Sequence, residues 1–113
     1  MNALFGSGSG SNKIKEMLEN GAAIIDVRTP GEFQGGHVVG SNNVPLQTLS
    51  TKVDELKQLG KPLVLCCASG MRSGQATSFL KSEGIECENG GGWMKVNALV
   101  QCKKGPSEAL FLF

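Results

Sequence analysis

An excess of charge of either sign is missing from this 113-residue sequence, in which 11 lysines and arginines stand against 10 aspartates and glutamates. With no basic field, no nucleic-acid partner is expected, and with no polybasic run, no anionic membrane. Any partner must therefore be recognised locally. Long apolar runs are missing too: "MNALF" ahead of "GSGSGS" is too short for a signal-peptide core or a membrane span, which makes the cytoplasm the default location. Paired C-x-x-C ligand sets are absent, so Cys66, Cys67, Cys87 and Cys102 read as reduced thiols rather than as a metal site or a disulfide framework. The length suits one compact domain and leaves no room for a second domain or a repeat array.

Glycine and serine supply nothing to bury, so residues 6–11, "GSGSGS", read as flexible coil, and residues 1–11 are set apart from a domain spanning 12–101. Residues 102–113, "CKKGPSEALFLF", form a tail with no assigned role. Within the domain, Ile14, Met17 and Leu18 share a helical face, capped by Ser11 or Asn12 and stopped by Gly21. "AAIIDV", residues 22–27, is a continuous apolar run of the kind that suits a strand covered on both faces. Thr29, Pro30 and Glu32 spell a capping box for a short helix. An extended crossing follows, with a brief strand near Asn43 and Val44.

Leu49, Val53 and Leu56 keep helical spacing up to Gly60, and Pro62 opens the strand "LVLC", residues 63–66. Ala76, Phe79 and Leu80 mark another helix closed by Gly84, "IEC" a short strand, "NGGGW" a turn, and Met94 to Val100 a last helix. Strands alternating with helices predict an α/β fold, a parallel central sheet flanked by helices on both faces. Ligands in such folds sit beyond the carboxyl ends of the strands, where "CCASGMRS" falls.

A strand that ends in cysteine and leads through a glycine-containing loop into a helix surrounds one sulfur with backbone N–H groups. The positive end of the helix adds to them, and both favour a thiolate or any anion attached to it. Gly70 can turn amides inward, and Arg72 can hold an oxyanion through two parallel hydrogen bonds. Ser69 and Ser73 can donate further bonds, with helix capping the equal alternative for Ser73.

Two registers compete for the nucleophile. From Cys67 the loop reads C-x-x-G-x-R-S, whose smaller ring of amides suits one added sulfur atom; from Cys66 it reads C-x5-R, the wider spacing of cysteine-dependent phosphatases. Val64 and Cys66 share one face of a strand buried on both sides, so Cys66 is expected in the core and Cys67 in the turn. Cys67 is therefore the favoured nucleophile, with Cys66 the alternative.

Several segments together resemble the rhodanese domain family of sulfurtransferases: "IIDVRTPGEFQGGHVVGSNNVPL" its first signature, "LCCASGMRS" its active-site loop, and "NGGGWMKV" its closing segment. The resemblance implies a Cys67 nucleophile that carries sulfane sulfur as a persulfide, inside a cradle of Ala68, Ser69, Gly70, Met71, Arg72 and Ser73. It implies no metal or organic cofactor. The implied partners are a thiosulfate-like donor and a thiophilic acceptor such as cyanide, a thiol or a thioredoxin-like protein. Neutral Met71 at the rim weakens the expected attraction for doubly charged thiosulfate.

Asp26 and Arg28 are expected as an ion pair tying the end of the first long strand to a neighbouring loop, with Arg28 as a second anion contact the alternative. His37 is expected to bind nearby backbone, and Trp93 to pack. Cys87 and Cys102 are expected as buried small apolar residues. Two further functional readings stand beside the sulfurtransferase: a phosphatase or arsenate reductase using Cys66 and Arg72, and a non-catalytic module that recruits a partner or carries sulfur.

Overall fold

The computed structural model of the chain describes residues 9–101. The expectations for residues 1–8, for the 102–113 tail and for Cys102 lie outside them. The elements run α1 (Ser9–Glu19), β1 (Ala23–Asp26), α2 (Pro30–Gln34), β2 (Asn42–Asn43), a 3₁₀ segment (Leu46–Lys52) leading into α3 (Val53–Gln58), β3 (Leu63–Cys67), α4 (Met71–Ser82) and β4 (Cys87–Gly92). Residues 93–101 form a closing helix, α5. The strands make one parallel sheet in the order β2-β1-β3-β4, as the α/β pattern predicts.

Both faces of the sheet are covered, and alternation along the strands decides which residue enters which core. Ile25, Val27, Leu63, Leu65, Cys67 and Cys87 meet Leu49, Leu56, Ala76 and Leu80 of the 3₁₀ segment, α3 and α4. On the other face Ile24, Val64 and Cys66 meet Ile14 and Leu18 of α1 and Val96 of α5. Every residue of β3 is buried, so this central strand carries both cores at once. Burying one such leucine or isoleucine fully stabilises the fold by roughly 1.5–3 kcal/mol.

Helix α1 starts at Ser9, which corrects the assignment of residues 9–11 to coil. N–H groups in a first turn have no intrahelical acceptor in any case, so poor helix formers cost little there once Ile14 and Leu18 anchor the next turns. The expected single helix through Leu49, Val53 and Leu56 divides into a 3₁₀ segment and α3. Tighter 3₁₀ winding is common where a chain enters an α-helix. Helix α2 forms with the full capping box, Thr29 accepting from the Glu32 N–H while Glu32 accepts from that of Thr29.

The largest departure is β4. "NGGG", expected as a turn, is strand: Leu65 pairs with Asn89 but Cys66 pairs with Gly91, which makes Gly90 the extra residue of a bulge. A Cβ on Gly90 would lie 2.7 Å from Val96 Cγ2 and 2.8 Å from Val64 Cγ1. Glycine here permits close approach of backbone to core rather than a turn.

Gly90→Ala is therefore expected to lower stability by about 1–3 kcal/mol through forced repacking around Val64 and Val96. Urea unfolding followed by circular dichroism measures it. An unchanged midpoint would mean that β4 does not lie this close to α5.

Candidate active site

Strand β3 ends at Cys67 and α4 begins at Met71, with Ala68, Ser69 and Gly70 bridging them. Gly70 is the N-cap of α4 and has φ +101°, which favours a residue without a Cβ. A Cβ there would also come within 3.2 Å of Gly91 Cα. The turn at Gly70 aims its N–H at Cys67 Sγ, 3.0 Å away. One helical turn later the N–H and the hydroxyl of Ser73 each lie 3.4 Å from the same sulfur. Cys67 itself occupies the last strand position rather than the turn, and only 1% of its surface is exposed. Ala68 and Ser69, which follow it, are both exposed.

Burial alone would push the Cys67 thiol up. Hydrogen bonds from the Ser73 hydroxyl and from the backbone N–H groups of Ser73, Gly70 and Ser69 outweigh burial and hold it below the ordinary cysteine value. Cys66, one residue earlier, has the opposite fate. Burial, reinforced by the nearby Asp26 charge and opposed by Arg28, pushes its thiol up to about 12. It is fully buried and faces the other core, among Ile14, Val64 and Val96.

Asn89, which the sequence reading passed over inside "NGGGW", organises the loop. Its Nδ2 donates to the Gly70 carbonyl at 3.0 Å, and its Oδ1 accepts from the Ser73 hydroxyl at 2.7 Å and from the Gly91 N–H at 2.9 Å. The Ser73 hydroxyl has one proton, and Asn89 Oδ1 and Cys67 Sγ compete for it. The backbone donors face no such competition. Ser73 is buried inside α4, so its reading as a helix cap is overturned.

Arg72 departs from expectation most. Its guanidinium makes two parallel hydrogen bonds to Glu32 of α2, Nη1 to Oε1 at 2.8 Å and Nη2 to Oε2 at 3.0 Å, rather than reaching over the cradle. The side-chain bonds from Arg72, with the Thr29 N–H, hold the Glu32 carboxyl down to about 2. Met71 is 76% exposed at the rim. A groove of about 100 Å³ beside Arg72 is lined by Val27, Thr29, Pro45, Leu46 and Gln47.

Asp26 and Arg28 are both buried and form a close pair: Arg28 Nε lies 2.9 Å from Asp26 Oδ1, and Nη2 lies 2.7 Å from Oδ2 and 2.7 Å from the Gly36 carbonyl. The Arg28 guanidinium carbon sits 4.9 Å from the Trp93 ring centroid. Asn43 Nδ2 donates to the carbonyls of Asp26 and Arg28 at 3.0 and 2.9 Å. This network joins the end of β1 to the chain after α2, to β2 and to the start of α5. His37 stacks on Phe33 and donates through Nδ1 to the Phe33 carbonyl at 2.7 Å, which fixes its tautomer. Among the described residues, no cluster of three or more His, Cys, Asp or Glu could hold a metal ion, and no helix is long and apolar enough to cross a membrane.

Ser73→Ala is expected to raise the pH midpoint of Cys67 alkylation by iodoacetamide while leaving it below that of an ordinary cysteine, because the backbone donors remain. Alkylation rates against pH, with the modified cysteine identified by peptide mass spectrometry, measure this. A midpoint that did not move would mean that the hydroxyl serves Asn89 alone.

Comparison with known proteins agrees with this geometry. The model of the rhodanese-like domain family matches residues 11–101. The uncharacterized protein YqhL of Bacillus subtilis is 40% identical over 85 residues, 74% of this chain and 67% of that protein. The thiosulfate sulfurtransferase GlpE of Pseudomonas aeruginosa is 29% identical over 73 residues, 65% of this chain and 66% of that one. The matches thus span about two thirds of these curated relatives. Among solved structures, the human single-domain sulfurtransferase TSTD1 superposes with a TM-score of 0.58 at 28% identity, covering 69% of this chain and 82% of its own.

Proposed function

The chain belongs to the rhodanese-like domain family, and we propose that it is a sulfurtransferase that moves sulfane sulfur through a persulfide on Cys67. One observation carries the reading: the Cys67 sulfur receives the Gly70 N–H at 3.0 Å at the start of α4, and its thiol is held below the ordinary value. The thiolate is the attacking form, and these donors give Cys67 a larger thiolate fraction at a given pH than an ordinary cysteine has.

With thiosulfate as donor, the Cys67 thiolate attacks the outer sulfur and a new S–S bond forms. The old S–S bond breaks, and its electron pair leaves with sulfite. In the second half, cyanide or a thiolate attacks the outer sulfur of the persulfide and Cys67 departs as a thiolate. No metal or outside redox partner enters this balance. The cycle begins and ends with Cys67 as a free thiolate, so we assign the reaction to a compartment that keeps thiols reduced, such as the cytoplasm.

Intact-protein mass spectrometry after incubation with thiosulfate tests the proposal. The expected result is a gain of about one sulfur atom, removed by cyanide, present in wild type and Cys66→Ser and absent in Cys67→Ser. Cys66→Ser is expected to cost about 1–3 kcal/mol by burying a hydroxyl in an apolar core. A sulfur gain that survived Cys67→Ser would overturn the assignment of the nucleophile. No gain in any variant, with the fold intact, would favour a non-catalytic module.

A further inference from the structure

The cradle is built from neutral backbone donors, so an anionic sulfur donor still needs a cation to draw it in. Arg72 occupies the obvious position, yet the Nη1/Nη2 end of its guanidinium is paired with the Glu32 carboxylate at 2.8 and 3.0 Å. Arg28 is buried against Asp26 and the Gly36 carbonyl. Lys13 and Lys81 both pair with Glu88, and Lys52 pairs with Glu55. Lys57 and Lys61 line a hollow with Pro62 and Gly84, at the amino end of β3 and so away from the loop, and Lys15 stands on α1, which packs on the sheet face opposite Cys67.

Lys95 is different. It is exposed on the first turn of α5 and makes no hydrogen bond or ion pair with any described residue. Its Cδ lies 3.9 Å from where a Cβ on Gly91 would stand, and Gly91 Cα lies 3.2 Å from the corresponding point on Gly70. Gly70 is the residue whose N–H touches the Cys67 sulfur. The stem of Lys95 therefore lies along the glycine that forms one wall of the cradle, and its ammonium group is two bonds further on.

We propose that Lys95, rather than Arg72, is the cation that meets an anionic sulfur donor at the mouth of the Cys67 site, Arg72 being neutralised by Glu32. The proposal rests on the sulfur-transfer reading for its substrate and adds a specificity-determining residue to it. The donor class is a small sulfane-sulfur anion such as a thiosulfate or thiosulfonate. In either case the Cys67 thiolate takes the outer sulfur, and the S–S electron pair leaves with sulfite or with a sulfinate.

Thiosulfate and methanethiosulfonate differ by one charge, a methyl group standing in for an oxyanion, so the ratio of their kcat/KM values reads the field at the mouth. Lys95→Gln is expected to lower that ratio roughly two- to fivefold at low salt, the scale of one solvent-exposed charge a few ångströms from the substrate. The effect is expected to vanish near 1 M salt, where screening acts within about 3 Å. Glu32→Gln, which keeps a side chain able to complete the Thr29 capping box, is expected to raise the ratio by freeing Arg72.

A second readout needs no turnover: the rate of Cys67 alkylation by iodoacetate divided by that by iodoacetamide, expected to fall in Lys95→Gln. If neither donor loads sulfur but the alkylation ratio still falls, the sulfurtransferase reading fails while Lys95 stands as the anion-steering group. If sulfur transfers and neither ratio moves in Lys95→Gln, the inference about Lys95 is overturned.

Discussion

Period-two alternation along β3, a strand buried on both faces, is the constraint from which the site follows. Leu63, Leu65 and Cys67 must enter the core under α3 and α4, so Val64 and Cys66 must enter the core under α1 and α5. Adjacent cysteines are thereby sent in opposite directions. Only the one on the α4 side can meet the first N–H groups of that helix. A slip of one residue in the pairing of β3 would exchange the two and place both leucines against the wrong helices. The hydrophobic energy of the sheet thus holds Cys67 in register, although the sulfur itself contributes little to that energy.

Two further devices convert the register into a working geometry. The bulge at Gly90 shifts the pairing by one residue, so that β4 and β3 end together at Gly92 and Cys67, with Asn89 bonded to Ser73 and Gly70 and with Gly91 packed close to Gly70. The buried Asp26–Arg28 pair braces the neighbouring edge. A buried pair costs desolvation, and here the remaining capacity of Arg28 is met by the Gly36 carbonyl and the Trp93 face. Removing one partner would leave an uncompensated charge beside Cys66, within the same core that holds β3 in place.

Much of this was legible in the sequence, and the parts that were not share a cause. The capping box at Thr29 and the two-faced strands depend on neighbours within a few residues, where periodicity and side-chain chemistry act directly. Arg72 reads locally as an anion ligand, because its partner Glu32 lies 40 residues away in the chain and on a different helix. "NGGG" reads as a turn because glycine is the strongest turn signal, whereas here it answers crowding from Val64 and Val96. Asn89 was hidden by the same error: once the stretch is taken as a turn, an asparagine in it needs no further explanation. Ser73 is legible as a donor, since a serine at the third position of a helix faces back toward the residue that ends the preceding strand.

On the sulfur-transfer reading, a cradle of backbone amides has an advantage over one dominated by a side-chain cation. Cys67 must attack as a thiolate in the first half of the cycle and depart as a thiolate in the second. Hydrogen bonds that lower its pKa improve the leaving group and raise the thiolate fraction, but they also reduce intrinsic nucleophilicity, with a Brønsted slope of about 0.4–0.5. A guanidinium seated on the sulfur would push that trade too far and would hold the departing anion. By pairing with Arg72, Glu32 leaves the Cys67 sulfur to hydrogen-bond donors that together outweigh burial. The same ion pair that contradicts the simplest reading of the loop therefore keeps both halves of the transfer accessible to one sulfur atom.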